Sequence, residues 1–241
     1  MNIVILAAGM GKRMRSRLPK VLQPLADKPM LEHVIEKARL LGSNNRLIVV
    51  IGHGAEAVKA YFEKDEDITF ALQAEQLGTG HALLQALPYC DQSEPTLVLL
   101  GDVPLIRPET LKDLIQAAGS GVGLLTVRLD NPKGYGRIVR QNGAVCAIVE
   151  EKDATDEQRA INEVNTGIMV LPTRYLERWL NELGNENAQG EYYLPDTLTI
   201  IKNKGLKVDA FALDDPEDIT GVNDQEQLAA AAEIIRARTA K

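Results

Sequence analysis

A cluster of cationic side chains follows two glycines near the start of the chain, in the stretch LAAGMGKRMRSRLPK (residues 6–20). Five Lys or Arg residues lie between Lys12 and Lys20, and the first acidic residue of the chain is Asp27. The chain as a whole has 241 residues and a net charge of -7. Because the local charge opposes the overall charge, this stretch predicts a binding site for an anion.

The two glycines of this stretch favour a phosphate as that anion. Gly9 and Gly11 have no side chain and permit positive φ angles, so successive backbone N–H groups can turn toward one anion. Two known phosphate-loop patterns are absent, since GxxxxGK[ST] does not occur and Met14 replaces the third glycine of GxGxxG. On the loop alone, a plain glycine turn with solvated cations is almost equally good an interpretation.

Two of the cations have the spacing expected of a polyphosphate site. Arg13 follows the glycines and offers a planar guanidinium, whereas Lys20 follows the rigid Pro19 and offers a compact ammonium. Such a pair suits a polyphosphate whose charge increases on a leaving group. The other cations are expected to form a solvated rim: Lys12, Arg15 and Arg17.

The elements that would position this loop alternate along the first half of the chain. Short β-branched runs, each followed by an amphipathic segment, are NIVIL (2–6), RLIVVI (46–51), ITFAL (68–72) and TLVLLG (96–101). This alternation predicts an α/β fold with a Rossmann-like, mostly parallel sheet and helices on both faces. The cationic loop follows the first run, so we expect it at the carboxyl end of a strand, where open α/β sheets bind ligands.

Helix signals are clearest over residues 29–41, where Pro29 is predicted at the first helical position and Gly42 as the stop. After about residue 121 the pattern changes to mixed or antiparallel strands, with a hairpin turned at Asn142-Gly143. A further helix is expected at about 173–183. The Ala-rich C-terminal segment has no evident glycine stop and is expected to project from the body as a helix.

Composition excludes several classes of protein. A pI of about 5.1 argues against general nucleic-acid binding, which needs a basic face. Cys90 and Cys146 lie in no CxxC or Cys/His pattern, so neither a structural zinc nor a disulfide framework is predicted. No apolar stretch reaches the roughly 18 residues expected of a membrane span. We therefore expect a cytoplasmic protein that binds neither membrane nor nucleic acid.

At this point the motifs show a family resemblance. LAAGMGKRM followed by LPK resembles the signature LAAGxGxRM…PK of the nucleoside-diphosphate-sugar pyrophosphorylases, a nucleotidyltransferase family. Eight further segments keep the family order over about residues 3–224: KVLQPLADKPMLEHVI, LQAEQLGTGHAL, LGDVPLI, GYGRIV, IVEEKDAT, NEVNTGI, NAQGEYYLPD and GVND. They are most similar to the members that use UTP and N-acetyl-α-D-glucosamine 1-phosphate in cell-wall precursor synthesis.

The resemblance implies the reaction and assigns roles. UTP and the sugar phosphate would give UDP-N-acetylglucosamine and pyrophosphate, with Mg2+ as the cofactor held by Asp102 and Asn223. Arg13 and Lys20 would be catalytic. The nucleotide-binding residues would be Leu6, Ala7, Ala8, Gly9, Gly11, Gln73, Gly78, Thr79 and Gly101. The sugar-binding residues would be Gly136, Glu150 and Asn165. From the residues alone, Asp102 could instead form a turn and Thr79 could cap a helix.

The resemblance also predicts the domain organisation. Residues 1–223 would form the pyrophosphorylase domain, with a nucleotide-binding lobe at about 1–110 and a smaller, mixed-sheet sugar-binding lobe at about 120–215. Residues 224–241 would be a C-terminal helix that starts a linker arm. The chain contains no hexapeptide repeats, so we expect neither the family's β-helix acetyltransferase domain nor the trimer that it forms.

Several features remain open at the level of sequence. His33, His53 and His81 fit no metal or nucleophile pattern and are expected to pack or lie at the surface, while Tyr192 and Tyr193 are expected to close the pocket or pack. Gln225 stands where the family often has Arg after GVN. The alternative functions are a glucose-1-phosphate uridylyl- or thymidylyltransferase, a cytidylyltransferase, and a non-catalytic sugar-nucleotide sensor.

Overall fold

A nine-stranded sheet forms the centre of the computed structural model, which describes residues 1–213 and 215–239 and, for Lys12, only the backbone. The strands in chain order are β1 (Asn2–Leu6), β2 (Pro24–Leu25), β3 (Lys28–Pro29), β4 (Arg46–Ile51), β5 (Ile68–Leu72), β6 (Pro95–Leu100), β7 (Val122–Arg128), β8 (Arg137–Gln141), β9 (Ala144–Val149), β10 (Glu163–Pro172) and β11 (Val208–Leu213). Only β2 and β3 lie outside this sheet, as a separate antiparallel pair.

Eight α-helices are found in the described part of the chain. They are α1 (Met30–Arg39), α2 (Ala55–Tyr61), α3 (Thr79–Ala86), α4 (Pro108–Ala118), α5 (Asp156–Arg159), α6 (Thr173–Asn181), α7 (Thr197–Asn203) and α8 (Gln225–Thr239). Short 3₁₀ turns occur at Lys12–Met14, Lys20–Leu22, Leu87–Tyr89, Leu194–Asp196 and Pro216–Ile219. None of these helices is long and apolar enough to cross a membrane.

The first half of the chain forms a parallel block around β1. Strand β1 lies between β4 and β6, and β5 pairs with the outer side of β4, all in parallel. Leu6, the last residue of β1, is level with Val50 and Leu100 on the neighbouring strands. The carboxyl ends of three strands therefore meet beside the loop that follows β1, and the predicted parallel sheet is confirmed.

The second half of the chain extends the same sheet with mixed pairing. Strand β10 lies antiparallel between β6 and β7, and β11 adds in parallel to the outer edge of β7. The β8–β9 hairpin joins through a single pair, Val164 with Arg137. Its turn has φ angles of 52° at Asn142 and 81° at Gly143, as a type I′ turn requires, so the predicted hairpin is confirmed.

Helices cover both faces of the sheet because its central strands are apolar on both sides. Ile3 and Ile5 of β1 pack in one cluster with residues of α1, α2 and α4, whereas Val4 packs in a second cluster with α3, α6 and α7. The largest buried side chain of the second cluster is Trp179, which is 1% exposed. The predicted three-layer arrangement of an α/β fold is therefore confirmed.

The first helix begins later than predicted. Pro29 has ψ near 149° and belongs to β3, so it is the N-cap residue of α1 and not its first helical residue. The helix ends at Arg39 with Leu40 at its C-cap, before Gly42 is reached. The antiparallel pairing of Pro29 with Pro24 holds this residue extended, which overrides its preference for the first helical turn.

The C-terminal helix packs against the body through residue 239, contrary to the prediction that it projects. Leu228, Ala231 and Ala232 of α8 join a buried cluster with Met14, Leu25, Met30, Leu105 and Val222. Near its end, Arg238 donates hydrogen bonds to the Leu105 carbonyl and to the carboxylates of Glu217 and Asp218. The prediction failed because small alanines bury little area each and give a weak amphipathic pattern. Residues 240–241 of the predicted helix lie outside the described residues.

Replacement of Leu228 by alanine tests this packing. Leu228 is 9% exposed, and its removal from a buried cluster is expected to lower the free energy of unfolding by about 2 kcal/mol. Urea denaturation of the variant and of the unchanged protein measures the difference. Glu233→Ala, on the exposed side of the same helix, is the matched control and is expected to change stability little. Equal free energies of unfolding in all three proteins would show that the packing of α8 through Leu228 does not stabilise the fold.

Candidate active site

Two adjoining cavities open at the carboxyl ends of the central strands. The first has a volume of about 460 Å³ and is lined mainly by the loop after β1 and the segment before α3. The second, of about 390 Å³, is lined mainly by residues of the mixed half of the sheet. Both cavities are lined by Arg13, Asp102 and Asn223, which therefore lie where the two spaces meet.

Nearly all of the predicted site residues line these cavities. Those at the first cavity are Leu6, Ala7, Ala8, Gly9, Gly11, Arg13, Lys20, Gln73, Gly78, Thr79, Asp102 and Asn223. Those found only at the second are Gly136, Glu150 and Asn165. Gly101 is different, since it lines neither cavity and its N–H donates to the Leu6 carbonyl at 2.9 Å. A Cβ at Gly101 would lie 3.0 Å from the Cβ of Ala7, so this glycine allows close packing behind the loop.

The cationic loop is a sharply turned backbone segment that carries Lys20 into the first cavity. Gly11 has φ of 59°, in the left-handed region, and a Cβ added to it would overlap the Cβ of Lys20. On the other side, Gly54 has φ of 72° and packs directly against the Pro19 ring. The Pro19-Lys20 segment is thus held between two glycines, of which Gly54 is not apparent from the sequence because it lies outside the motif.

Lys20 joins the two predicted metal ligands. Its ammonium Nζ lies 2.5 Å from Oδ2 of Asp102 and 2.8 Å from Oδ1 of Asn223, and its side chain is only 9% exposed. A backbone hydrogen bond of 2.8 Å from the Val222 N–H to the Asp102 carbonyl holds these two segments together. Asp102 does lie in the turn after β6, as one interpretation of the sequence expected, but its carboxylate also binds Lys20 in the cavity.

Arg13 is the cation that faces both cavities. Its side chain is exposed, and no hydrogen bond or ion pair joins it to another side chain within residues 1–213 and 215–239. Of the predicted solvated rim, Arg15 and Arg17 are exposed, whereas the Lys12 side chain lies outside the described residues. Gln225 donates from its amide to the Met14 carbonyl at 3.2 Å, so this departure from the family pattern ties α8 to the loop.

The segment before α3 forms a second part of the wall of the first cavity. Gln73 is 3% exposed, and its Nε2 donates to the Gly78 carbonyl at 3.0 Å. Gly78 has φ of 107° and is the N-cap residue of α3, which begins at Thr79. The hydroxyl of Thr79 accepts a hydrogen bond from the Leu194 N–H at 3.0 Å and caps no helix, so the alternative prediction for Thr79 is wrong.

The loop containing Tyr192 and Tyr193 closes the site from the mixed half. The Tyr192 carbonyl accepts from the Gly80 N–H at 2.8 Å, and Tyr193 lines the second cavity with 7% of its surface exposed. Their positions agree with the predicted closing and packing roles. Among the cavity-lining residues that the sequence did not single out are Gln76, Tyr135, Gln189 and Glu191. Glu191 lines both cavities, and its only sequence signal was the GEYYL segment.

The second cavity brings the three predicted sugar-binding residues together. A Cβ at Gly136 would lie 2.9 Å from Oε1 of Glu150, and the Gly136 carbonyl accepts from the Asn165 N–H at 2.8 Å. Asn165 is 7% exposed and lies where the register of β10 against β7 shifts. Burial raises the pKa of Glu150, and the nearby Asp196 and Asp153 carboxylates raise it further.

No group of three or more His, Cys, Asp or Glu side chains that could hold a metal ion occurs in the described part of the chain. An ion at Asp102 and Asn223 would therefore have one side-chain oxygen of each residue as its protein ligands, and it would need further ligands from outside the protein. Carboxylate and amide oxygens are hard donors, which suits magnesium in such a mixed coordination shell.

Comparison with known proteins agrees with the fold and with the motifs. The chain is 58% identical over 231 residues to the bifunctional protein GlmU of Paraburkholderia phymatum. This matched region covers 95% of this chain and 51% of that protein. It is 57% identical over 231 residues to the bifunctional protein GlmU of Cupriavidus metallidurans, covering 95% and 50%. The chain thus spans about half the length of the curated relatives it matches.

Solved structures support the fold. A UDP-glucose pyrophosphorylase complexed with UDP-glucose superposes with a TM-score of 0.75 at 19% identity, covering 98% of both chains. A putative glucose-1-phosphate thymidylyltransferase of Bacillus anthracis gives a TM-score of 0.75 at 20% identity, covering 98% of this chain and 95% of the other. The predicted Rossmann-like fold is confirmed. A profile of the MobA-like NTP transferase domain matches residues 3–187, well over half of the chain, and the chain therefore belongs to that family.

Proposed function

We propose that this chain transfers a uridylyl group from UTP to N-acetyl-α-D-glucosamine 1-phosphate, giving UDP-N-acetylglucosamine and pyrophosphate. The observation that carries the proposal is the meeting of two cavities at Arg13, Asp102 and Asn223. One cavity has a glycine-rich, cationic wall suited to a triphosphate, and the other has carboxylate and amide groups suited to sugar hydroxyls. The choice of this substrate pair rests on the eight ordered motifs and on the 58% identity to GlmU proteins.

The nucleotide would occupy the first cavity. The backbone from Ala7 to Gly9 would cradle its phosphates, and Gln73 and Gly78, which line the same cavity, would face the uracil. Arg13 and Lys20 would neutralise phosphate charge, Arg13 from the junction of the two cavities. The sugar would occupy the second cavity, with the Gly136 N–H, Glu150 and Asn165 as its polar contacts. Residues of about 1–110 would thus contribute most of the nucleotide site and residues of about 120–215 most of the sugar site, with Arg13, Asp102 and Glu191 lining both cavities.

The chemistry proposed at the junction needs no covalent enzyme intermediate. A phosphate oxygen of the sugar phosphate, already ionised at neutral pH, attacks the α-phosphorus of UTP in line. The bond from that phosphorus to the oxygen bridging the α- and β-phosphates breaks, and pyrophosphate leaves with the electron pair. The protein's contribution is positioning of the two phosphates and stabilisation of the charge on the leaving group.

The proposed cofactor is Mg2+, with Asp102 and Asn223 as its protein ligands. Their oxygens fit this role because both approach one point, within hydrogen-bond distance of the same Lys20 nitrogen. When bound there, Mg2+ would neutralise phosphate charge and help to orient the two reactants. Lys20 would have to leave both oxygens, and its ammonium would then be available to a phosphate oxygen close to the same position.

A substrate panel tests the proposed function. Pyrophosphate release is measured with Mg2+ for each nucleoside triphosphate, against glucose 1-phosphate and N-acetylglucosamine 1-phosphate. We expect the highest kcat/KM for UTP with the N-acetylated sugar. Preference for glucose 1-phosphate with UTP or dTTP, or for CTP, would identify a sister nucleotidyltransferase. No release with any pair would favour the sugar-nucleotide sensor.

The proposed location is the cytoplasm, where nucleoside triphosphates are made.

A further inference from the structure

We propose that His81 is a positioning residue for base selection, which holds the Gln73 side-chain amide with its oxygen available to the nucleotide base. The inference deepens the proposed function and rests on the nucleotide occupying the first cavity. His81 lies in the first turn of α3, and Gln73 lines that cavity just after β5. None of the motifs predicted a role in binding for this histidine.

The orientation of the Gln73 amide follows from its neighbours. The terminal atom of Gln73 that lies 3.0 Å from the Gly78 carbonyl oxygen must be the nitrogen, because a carbonyl oxygen can only accept. The same nitrogen lies 3.1 Å from Nδ1 of His81. Both hydrogens of the amide therefore have acceptors, one in the backbone and one in the imidazole ring.

This arrangement also defines the form of the histidine. To accept from Gln73, Nδ1 must carry no proton, so the neutral ring bears its proton on Nε2. Nε2 lies 3.2 Å from the terminal amide of Gln85, which is one helical turn further along α3. The structure has the Gln85 nitrogen toward the ring, where it also lies 3.4 Å from the His81 carbonyl oxygen. Exchange of the Gln85 amide oxygen and nitrogen gives the Nε2 proton an acceptor and loses only that long contact, whereas the same exchange at Gln73 would lose the 3.0 Å hydrogen bond to Gly78. With Gln85 exchanged, the ring is an acceptor toward Gln73 and a donor toward Gln85.

The Gln73 oxygen is left for a ligand. No side chain or backbone group in residues 1–213 and 215–239 donates a hydrogen bond to Oε1 of Gln73. In the same part of the chain, no fully buried side-chain nitrogen or oxygen lacks a partner. Oε1 is therefore not sealed in the protein interior, although Gln73 as a whole is only 3% exposed, and the open space beside it is the first cavity.

A fixed acceptor at this position discriminates between pyrimidines. Uracil carries an N–H between its two carbonyl groups and can donate to Oε1, whereas the corresponding ring nitrogen of cytosine is an acceptor. With cytosine, Oε1 of Gln73 and the ring nitrogen would both be acceptors and would both stay unpaired in a partly dehydrated site. Such a mismatch costs much more binding free energy than a missing methyl contact. Thymine has the same N–H as uracil, so the Oε1 acceptor does not distinguish UTP from dTTP.

Two substitutions at His81 separate positioning from packing. His81→Phe keeps the flat ring and removes the acceptor, so the Gln73 amide can turn over. His81→Asn places a side-chain oxygen close to the former position of Nδ1 and restores an acceptor. Gln85→Leu is the control, since it removes the partner of the other ring nitrogen and a long contact to the His81 carbonyl, and leaves the Nδ1 contact with Gln73 in place.

The measurement is direct binding of UDP and of CDP by titration calorimetry, which does not depend on turnover. We expect the unchanged protein, His81→Asn and Gln85→Leu to prefer UDP. In His81→Phe the ratio of the two dissociation constants is expected to fall by about tenfold or more, which corresponds to the loss of one oriented hydrogen bond in a buried site.

Three outcomes would overturn the inference. One is an unchanged UDP preference in a folded His81→Phe protein. The second is an equal fall of the preference in His81→Phe and His81→Asn, because that result would mean that ring shape alone matters. The third is no preference for UDP over CDP in the unchanged protein. Failure of the proposed function has a different signature, since the protein would then bind UDP selectively but release no pyrophosphate in the substrate panel.

Discussion

Replacement of Arg13 by alanine is expected to lower kcat for pyrophosphate release by about 10²–10³, the usual effect of losing one donor that stabilises transition-state charge. Arg13 lies at the junction of the two cavities, where the leaving pyrophosphate would gain charge. Its side chain is exposed, so its removal should leave the fold intact. Steady-state rates at saturating substrates measure the effect, and circular dichroism checks the fold.

The matched control is Arg17→Ala. It removes the same charge from the same loop, but Arg17 is exposed and lines neither cavity. We expect only a modest loss of activity, because the charge of an exposed side chain outside the site is screened by solvent and salt. Near-normal turnover of Arg13→Ala, or equal losses in both variants, would contradict the catalytic role proposed for Arg13.

Replacement of Asp102 by asparagine is expected to raise the half-saturating Mg2+ concentration by at least about tenfold. The substitution keeps the shape of the side chain and removes its ionised oxygen, so the pair with Asn223 would offer only neutral ligands. The substitution also removes the anionic partner that lies 2.5 Å from the Lys20 ammonium, whose side chain is only 9% exposed. Without that partner, Lys20 should move toward the substrate phosphates. Initial rates over a range of Mg2+ concentrations, together with direct titration of Mn2+, measure the change.

Glu226→Gln is the control for this second experiment. It changes the charge of the chain by the same amount, and Glu226 is an exposed residue that lines neither of the two cavities. Its Mg2+ requirement should match that of the unchanged protein. An unchanged Mg2+ titration in Asp102→Asn would contradict the ligand role of Asp102, whatever the effect on turnover.

Much of the fold and of the site could be predicted because the signals are local. The β1 run and the glycines directly after it specify a strand and a turn within a dozen residues, and Asn142-Gly143 specifies its own hairpin. The loop from Leu6 to Lys20 was therefore predicted at the carboxyl edge of the sheet, where the structure has it. The grouping of the three predicted sugar-binding residues follows from the family motifs.

The features that could not be predicted depend on contacts between distant parts of the chain. Lys20 and Asn223 are 203 positions apart, and no local pattern indicates that the ammonium would lie between two proposed metal ligands. Gly54 supports Pro19 from another loop, and the packing of α8 depends on a cluster assembled from five segments. The sequence predicts only a packing or surface position for His81, because the role proposed for it depends on the orientation of a single amide group.

The position of β10 within the sheet restricts the order in which the chain can fold. Strand β6 pairs with β1, which precedes it by about ninety residues, and with β10, which follows it by about seventy. A growing chain that has reached only the end of the parallel block would expose the whole edge of β6, an edge to which other chains could add. Until β10 has been synthesised, the parallel block is therefore a candidate for protection by chaperones.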